Sequence, residues 1–190
     1  MPSRTILTER EKMLAGELYS SADAELRALM AKAQARLRRL NAAPNERPEA
    51  RFETLKSMLA GVGRGTQVKS PFSCDYGKHI WIGRNGFVNY GCVFLDCNFI
   101  RIGDDAQIGP GVHIYTALHP LEPEKRRKGL EAAEPVNIGD NVWLGGHCVI
   151  CPGISIGDNS VIGAGSIVVR NIPPNCVAVG NPCRVIRELN

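Results

Sequence analysis

Hydrophobic residues follow two different spacings along the chain, and the change falls near Gly61. Over the first sixty residues the spacing is helical. Thr8 and Glu11 fit a capping box ahead of Met13, Leu14 and Leu18, which predicts a first helix. From about Asp23, an apolar stripe of Leu26, Leu29, Met30, Ala33, Leu37 and Leu40 predicts a second. Arg36, Arg38 and Arg39 lie off that stripe, as expected of a solvated face. NAAPNERPEA reads as a turn, after which Pro48 can open a third short helix with Phe52, Leu55 and Leu59, ended by Gly61.

Beyond Gly61 the period becomes six. Ile82, Val88 and Phe94 are evenly spaced, and a shift of two residues resets the phase at Ile102. Ile108, Ile114, Ile138, Leu144, Ile150, Ile156, Ile162 and Val168 then keep that phase, several of them followed by Gly. Such a repeat predicts short strands winding as a parallel β-helix, with ~18 residues per three-faced coil and the aliphatic residue pointing inward. The GDN turns at 139–141 and 157–159 tolerate positive φ. The expected architecture is mainly β: a helical region over 1–60 and hexapeptide coils over 61–190. The repeat lapses over about 116–136, which predicts an extended loop with His119-Pro120 at its root.

Composition narrows the function classes. At 190 residues and 44% hydrophobic content the chain can bury a core as one domain with an appendage. No apolar run reaches the ~18 residues of a membrane span, and the N-terminus lacks a signal-like stretch, so no membrane role and a cytoplasmic location are expected. Seven cysteines show no disulfide spacing; Cys148 and Cys151 form one CVIC pair without a second to complete a zinc site. Reduced packing thiols are expected. The net charge of +4 is modest, and neither half of the chain has the basic excess of a nucleic-acid surface. The one basic cluster, KRRK at 125–128, reads as a solvated loop, with a phosphate contact as the sharper alternative.

Several segments then carry a resemblance: AGELY (15–19), FSCDYG (72–77), IWIGRN (80–85), the HP of ALHP (119–120), NVWLGG (141–146), IGDNSVIGAGSIV (156–168) and GNPCRVIRE (180–188). Together they make the chain similar to the maltose, galactoside and nodulation-type sugar O-acetyltransferases, hexapeptide-repeat enzymes with a left-handed β-helix. FSCDYG and FLDC (94–97) resemble the maltose branch most. The left hand comes from this resemblance alone, since parallel crossovers are ordinarily right-handed.

The resemblance implies acetyl transfer from acetyl-CoA to a sugar hydroxyl, in a homotrimer with sites between subunits. That hydroxyl must lose its proton as it attacks, and an imidazole with pKa near ~6.5 can take it at neutral pH. His119 matches the family's catalytic base, and Pro120 favours an extended presentation of it. Asn89 is expected to orient the base or polarise the hydroxyl. Asp75, Asn89 and Asp96 match positions that contact the acceptor or shape its pocket, and Glu131 matches a further acceptor-facing position. The acidic residue that usually follows G-x-L-Y is absent: Tyr19 is followed by Ser20 and Ser21, with Asp23 further on.

With no P-loop and no Rossmann fingerprint, a donor groove must come from coil edges and side chains. Trp143, Gly145, Gly146, Ala164 and Gly165 offer flat or small surfaces on successive coils, and the amide near Gly146 suits an oxyanion. Val169, Arg170 and Arg184 match donor-binding positions, with Arg187 a further candidate. Repeat geometry alone also accounts for the glycines. His113 is expected to be an outward structural residue, His147 to lie beside the donor path, and His79 to end a strand.

Other classes compete with this reading. A thiol mechanism through Cys148 beside His147 is disfavoured, because neighbours in a strand point to opposite faces. A γ-type carbonic anhydrase shares the coil, but His79, His113 and His119 do not match its spacing, and no metal is expected. A non-catalytic scaffold leaves His119, Asn89 and Arg184 unexplained. Antibiotic acetylation is the main rival substrate class.

Overall fold

A computed structural model describes residues 6–189. Its centre is a triangular prism of parallel strands with three faces. Face I stacks Gly61–Val62, Ile80–Ile82, Ile100–Ile102, Val136–Ile138 and Ser155–Ile156. Face II runs from Gln67–Val68 through Phe87–Val88, Gln107–Ile108, Trp143–Leu144 and Val161–Ile162 to Cys176–Val179. Face III stacks Phe72–Cys74, Cys92–Leu95, His113–Tyr115, Val149–Ile150 and Ile167–Val168. Every aliphatic residue of the six-residue phase points inward and is buried, from Ile82 to Val168. Each such side chain contributes ~1.5–3 kcal/mol relative to exposure.

Coil length departs from the expected value. The register advances 20 residues at first, pairing Val62 with Ile82 and Ile82 with Ile102, and 18 only later, pairing Ile138 with Ile156. The two extra residues fall between faces III and I, at Asp75–His79 and again at Asp96–Phe99. The long excursion after Tyr115 leaves from the same edge, so three interruptions of the repeat are stacked on one side of the prism. A further coil precedes Ile82, through Val62, Val68 and Cys74, ahead of the predicted start of the six-residue pattern. Turns between faces I and II put Asn85, Asp105, Asn141 and Asn159 at φ between 53° and 60°, where short polar side chains are tolerated.

Three helices close the N-terminal end. The first, α1 (Glu9–Ala15), carries the capping box of Thr8 and Glu11 and ends at Gly16 with φ 77°. Leu18 therefore lies beyond the helix and is exposed, contrary to expectation. The second, α2 (Ala24–Ala42), starts on the Asp23 cap; its stripe buries Leu26, Ala33, Leu37 and Leu40 but leaves Met30 exposed. The third, α3 (Pro48–Met58), opens on its proline and ends at Leu59 rather than at Gly61. Gly61 instead starts the first coil, where a Cβ would collide with the ring of Trp81.

Two polar residues absent from the hydrophobic pattern join helices to prism. The guanidinium of Arg51 is buried and donates to the carbonyls of Leu40 (2.7 Å), Ala43 (2.8 Å) and Val68. It thereby satisfies the open C-terminal carbonyls of α2. Asn41 pairs with both backbone groups of Phe72, at 2.8 and 2.9 Å. One hydrophobic cluster runs from Leu37 and Leu55 through the coils to Ala178. Among the described residues no helix is long and apolar enough to cross a membrane.

Candidate active site

The stacked interruptions between faces III and I build a polar corner anchored on Asp96. Its side chain is fully buried, and one carboxylate oxygen accepts the backbone N–H groups of Asp75 (3.0 Å) and Tyr76 (2.8 Å). The other accepts the N–H of His79 at 3.2 Å. Burial pushes the Asp96 carboxyl up to about 7, against the opposing pull of those N–H donors. Asp96 is thus not available to touch an acceptor; it shapes the corner that presents Asp75. His79 is likewise no ordinary strand end. Its ring is buried, with Nδ1 at 2.7 Å from the carbonyl of Asp96, and burial lowers its pKa.

Asp75 is half-buried at this corner, and its carboxyl is raised by burial and by the nearby charge of Glu131. The Cys97 thiol donates to it at 3.6 Å. Burial, with the charges of Asp75 and Glu131, also lifts the Cys97 pKa, so it stays a thiol. Glu131 comes from the excursion, which is a hairpin: Ala117–Leu118 pairs with Leu130–Ala133 around a short helix, α4 (Pro123–Arg127). Tyr19–Ser20 adds a third strand, opposing Tyr19 to Glu131. The Tyr19 hydroxyl donates to Glu131 at 2.9 Å. Two carboxylates, a phenol and a thiol therefore cluster at this corner.

His119 follows directly on Leu118, whose partner is Ala132, so the next step of that register lies opposite Glu131. It is exposed. The loop root is braced by Arg126, which donates to the carbonyls of Pro120 (2.9 Å) and Leu121 (3.0 Å). Two more residues of the basic run are paired locally, Lys125 with Glu122 and Arg127 with Glu124, while Lys128 is exposed. This agrees with the solvated reading of KRRK.

Asn98 holds the assembly together and was not singled out from sequence. Its buried amide donates to the carbonyls of Met13, Leu14 and Ala133, and its carbonyl accepts from Phe99 N–H at 2.7 Å. One side chain thus fixes α1, the hairpin and the corner relative to one another. Only its place two residues after Asp96 could have marked it. Of the candidates to replace the missing acidic contact, Asp23 is occupied as the α2 cap, accepting from Glu25 and Leu26 N–H.

A second set of residues lies on face II and its edge with face III. Phe87, Asn89, Gln107, Ile108, Gly109 and Trp143 line a groove of about 180 Å³. Trp143 is 56% exposed, and the Asn89 carbonyl accepts from Tyr90 N–H at 2.8 Å. Gly145, Gly146 and Ala164 follow on the same edge. At Gly145 a Cβ would collide with the backbone of Ala164, so coil stacking by itself requires glycine there. Arg184 and Arg187 crown face II on a strand, Arg184–Glu188, antiparallel to Cys176–Val179, and both are exposed. Val169 and Arg170 come from a different strand, whose Ile167 bonds the backbone of Gly180 and Cys183 just ahead of Arg184. They follow Ile167–Val168 at the end of face III.

Within one chain the two sets stay apart. A whole face, on the order of 15 Å at ~3.3 Å rise per residue, lies between their edges, and the groove holding Asn89 is not lined by His119. The remaining histidines are engaged elsewhere. His113 bonds the Tyr115 hydroxyl, and His147 occupies a turn at φ 59° stacked on Gly111. Cys148 points inward and donates to the Gly163 carbonyl at 3.1 Å while His147 is exposed, so the thiol has no base beside it. All seven cysteines are free, and six are buried.

Residues 12–63 match the maltose acetyltransferase hexapeptide capping motif, and residues 135–170 the hexapeptide repeat of succinyl-transferase. Nodulation protein L of Rhizobium meliloti is 47% identical over 94% of this chain and 97% of its own. A maltose O-acetyltransferase from Clostridium difficile superimposes with a TM-score of 0.95 at 47% identity, covering 97% of this chain and 98% of that one. A galactoside acetyltransferase solved in complex with coenzyme A gives 0.93 at 40% identity, covering 97% and 92%. Helical cap, six-residue coils and hairpin thus recur together over nearly the whole length, and the chain belongs to the maltose and galactoside O-acetyltransferase family of hexapeptide-repeat acyltransferases.

Proposed function

We propose that the protein transfers acetyl from acetyl-CoA directly to a hydroxyl of a small sugar, with His119 as general base. The observation that carries this reading is the hairpin register. It sets an exposed imidazole one step beyond a strand whose partner bears Glu131, beside Tyr19 and Asp75. The carboxylates of Asp75 and Glu131 suit paired hydrogen bonding to neighbouring sugar hydroxyls, with the buried Tyr19 hydroxyl holding Glu131 in place. Glu131 supplies beside Tyr19 the acidic contact that Ser20 and Ser21 lack. His119 takes the proton of the attacking hydroxyl, the hydroxyl oxygen adds to the thioester carbon, and the amide near Gly146 receives the developing oxyanion. Collapse expels the coenzyme A thiolate, which recovers the proton.

The donor lies along Trp143, Gly145, Gly146 and Ala164, with Arg184 and Arg187 near its phosphates and Val169-Arg170 reached from a neighbouring coil edge. Separation of this groove from His119 within one chain supports a homotrimer whose sites each combine two subunits, so that Asn89 of one subunit meets His119 of the next. Co-assembled His119→Ala and Trp143→Ala subunits are then expected to regain activity that each homogeneous variant lacks. A mixture as inactive as its components would overturn the shared site.

Arg184→Ala is expected to raise the acetyl-CoA KM about tenfold, with a smaller change in kcat, through loss of a charge-assisted phosphate contact. An unchanged donor KM would remove Arg184 from the groove. The N-terminal cap, built into the pocket through Tyr19 and Asn98, favours sugars over antibiotic alcohols. A panel of glucose, maltose, galactosides and chloramphenicol-like alcohols, followed by thiol release, tests this. Preference for the last class would overturn sugar specificity.

A further inference from the structure

Beside the acceptor pocket, α1, α2 and the Asp75–His79 corner enclose a second cavity of about 110 Å³ that acetyl transfer leaves unused. Four cations line it: Arg10 from α1, Lys32 and Arg36 from α2, and Lys78 from the corner. Tyr76 and His79 form one wall and Leu29 another, so no carboxylate is part of the lining. Arg10 meets Glu25 at 3.6 Å on the surface, and Asp96 lies buried behind His79. Lys32, Arg36 and Lys78 form no ion pair among the described residues.

The donors are also incompletely used. Lys78 gives two of an ammonium's three N–H groups to the carbonyls of Ser57 and Leu59, each at 3.1 Å, which holds the group in place with one donor over. Arg10 Nε is buried without a hydrogen-bond partner among the described residues, an arrangement that ordinarily signals a missing acceptor. Burial, and secondarily repulsion from Arg36, lowers the pKa of Lys78.

We propose that this cavity binds a small free oxyanion of the phosphate or sulfate class, bridging α1, α2 and the Asp75–His79 corner. A cavity of about 110 Å³ suits a small tetrahedral oxyanion better than a nucleotide. Two guanidiniums and two ammoniums match its oxygens with charge-assisted bonds. The occupied site would tie the cap to the corner that presents Asp75.

Calorimetric titration of inorganic phosphate into the coenzyme-free protein, at ionic strength matched with chloride, tests the site. Saturable binding is expected, weakened about tenfold or more in Lys32→Gln/Arg36→Gln. Arg38→Gln/Arg39→Gln removes the same charge from exposed positions of α2 and is expected to bind phosphate as the wild type does, as is Arg184→Ala. Absence of saturable binding, equal weakening in both double variants, or loss only in Arg184→Ala would each overturn the proposal. None of these readouts depends on acetyl transfer.

Discussion

Replacing His119 with alanine is expected to lower turnover by ~10²–10⁴-fold while leaving the acetyl-CoA KM nearly unchanged, as for loss of a general base. The effect is large because no other imidazole can take over. His79 is buried against Asp96, His113 is bonded to Tyr115, and His147 sits in a turn on another edge. Stability should hardly change, since the removed ring is exposed and makes no contact on which the hairpin depends; Arg126, not His119, braces that root. The acidic limb of the kcat/KM profile, where an imidazole base becomes protonated, should disappear in the variant. Wild-type turnover at neutral pH, or an unaltered acidic limb, would strip His119 of the role.

Much of this arrangement was legible from spacing, and the exceptions have physical reasons. The six-residue phase identified inward residues because burial on a three-faced coil recurs every six positions, at the aliphatic residue and again two residues before it, as at Ala106, Val112 and Val142. Val62, Val68 and Cys74 obey it too, yet a glycine-rich opening and a cysteine in place of an aliphatic residue weakened the signal. The two-residue phase shift before Ile102 marked the edge on which the pocket is built, although spacing alone gave it no chemistry. Asp96 shows where resemblance stops. A matched carboxylate says nothing about its partners, and these are backbone N–H groups 17 to 21 residues earlier, one coil away. Asp23 stood in a helix-capping position and was also a candidate sugar contact; only folding decides which N–H groups reach it first. Arg51 and Asn98 left no periodic trace, because each satisfies carbonyls gathered from distant segments.

Asp96→Ala should be the most destabilising single change at the site. It leaves three N–H groups of one corner without an acceptor, at ~1–3 kcal/mol for each buried unsatisfied group, non-additively. A combined loss of roughly 3–5 kcal/mol corresponds to a fall in Tm of about 6–20 °C for a domain of this size. Asp96→Asn keeps one acceptor oxygen and should cost less, which separates the hydrogen bonds from the charge. The pH dependence then gives a second test. The folded carboxyl titrates at about 7, above its unfolded value of ~3.9, so the native state binds the extra proton between these limits. Its contribution is therefore full below pH ~4 and is lost as pH rises through 7. Wild-type stability relative to Asp96→Asn should shrink over that window and flatten above it. An advantage that grows with pH, or Asp96→Ala melting with the wild type, would mean that the carboxylate does not hold the corner, and Asp75 would lose the support that aims it at an acceptor.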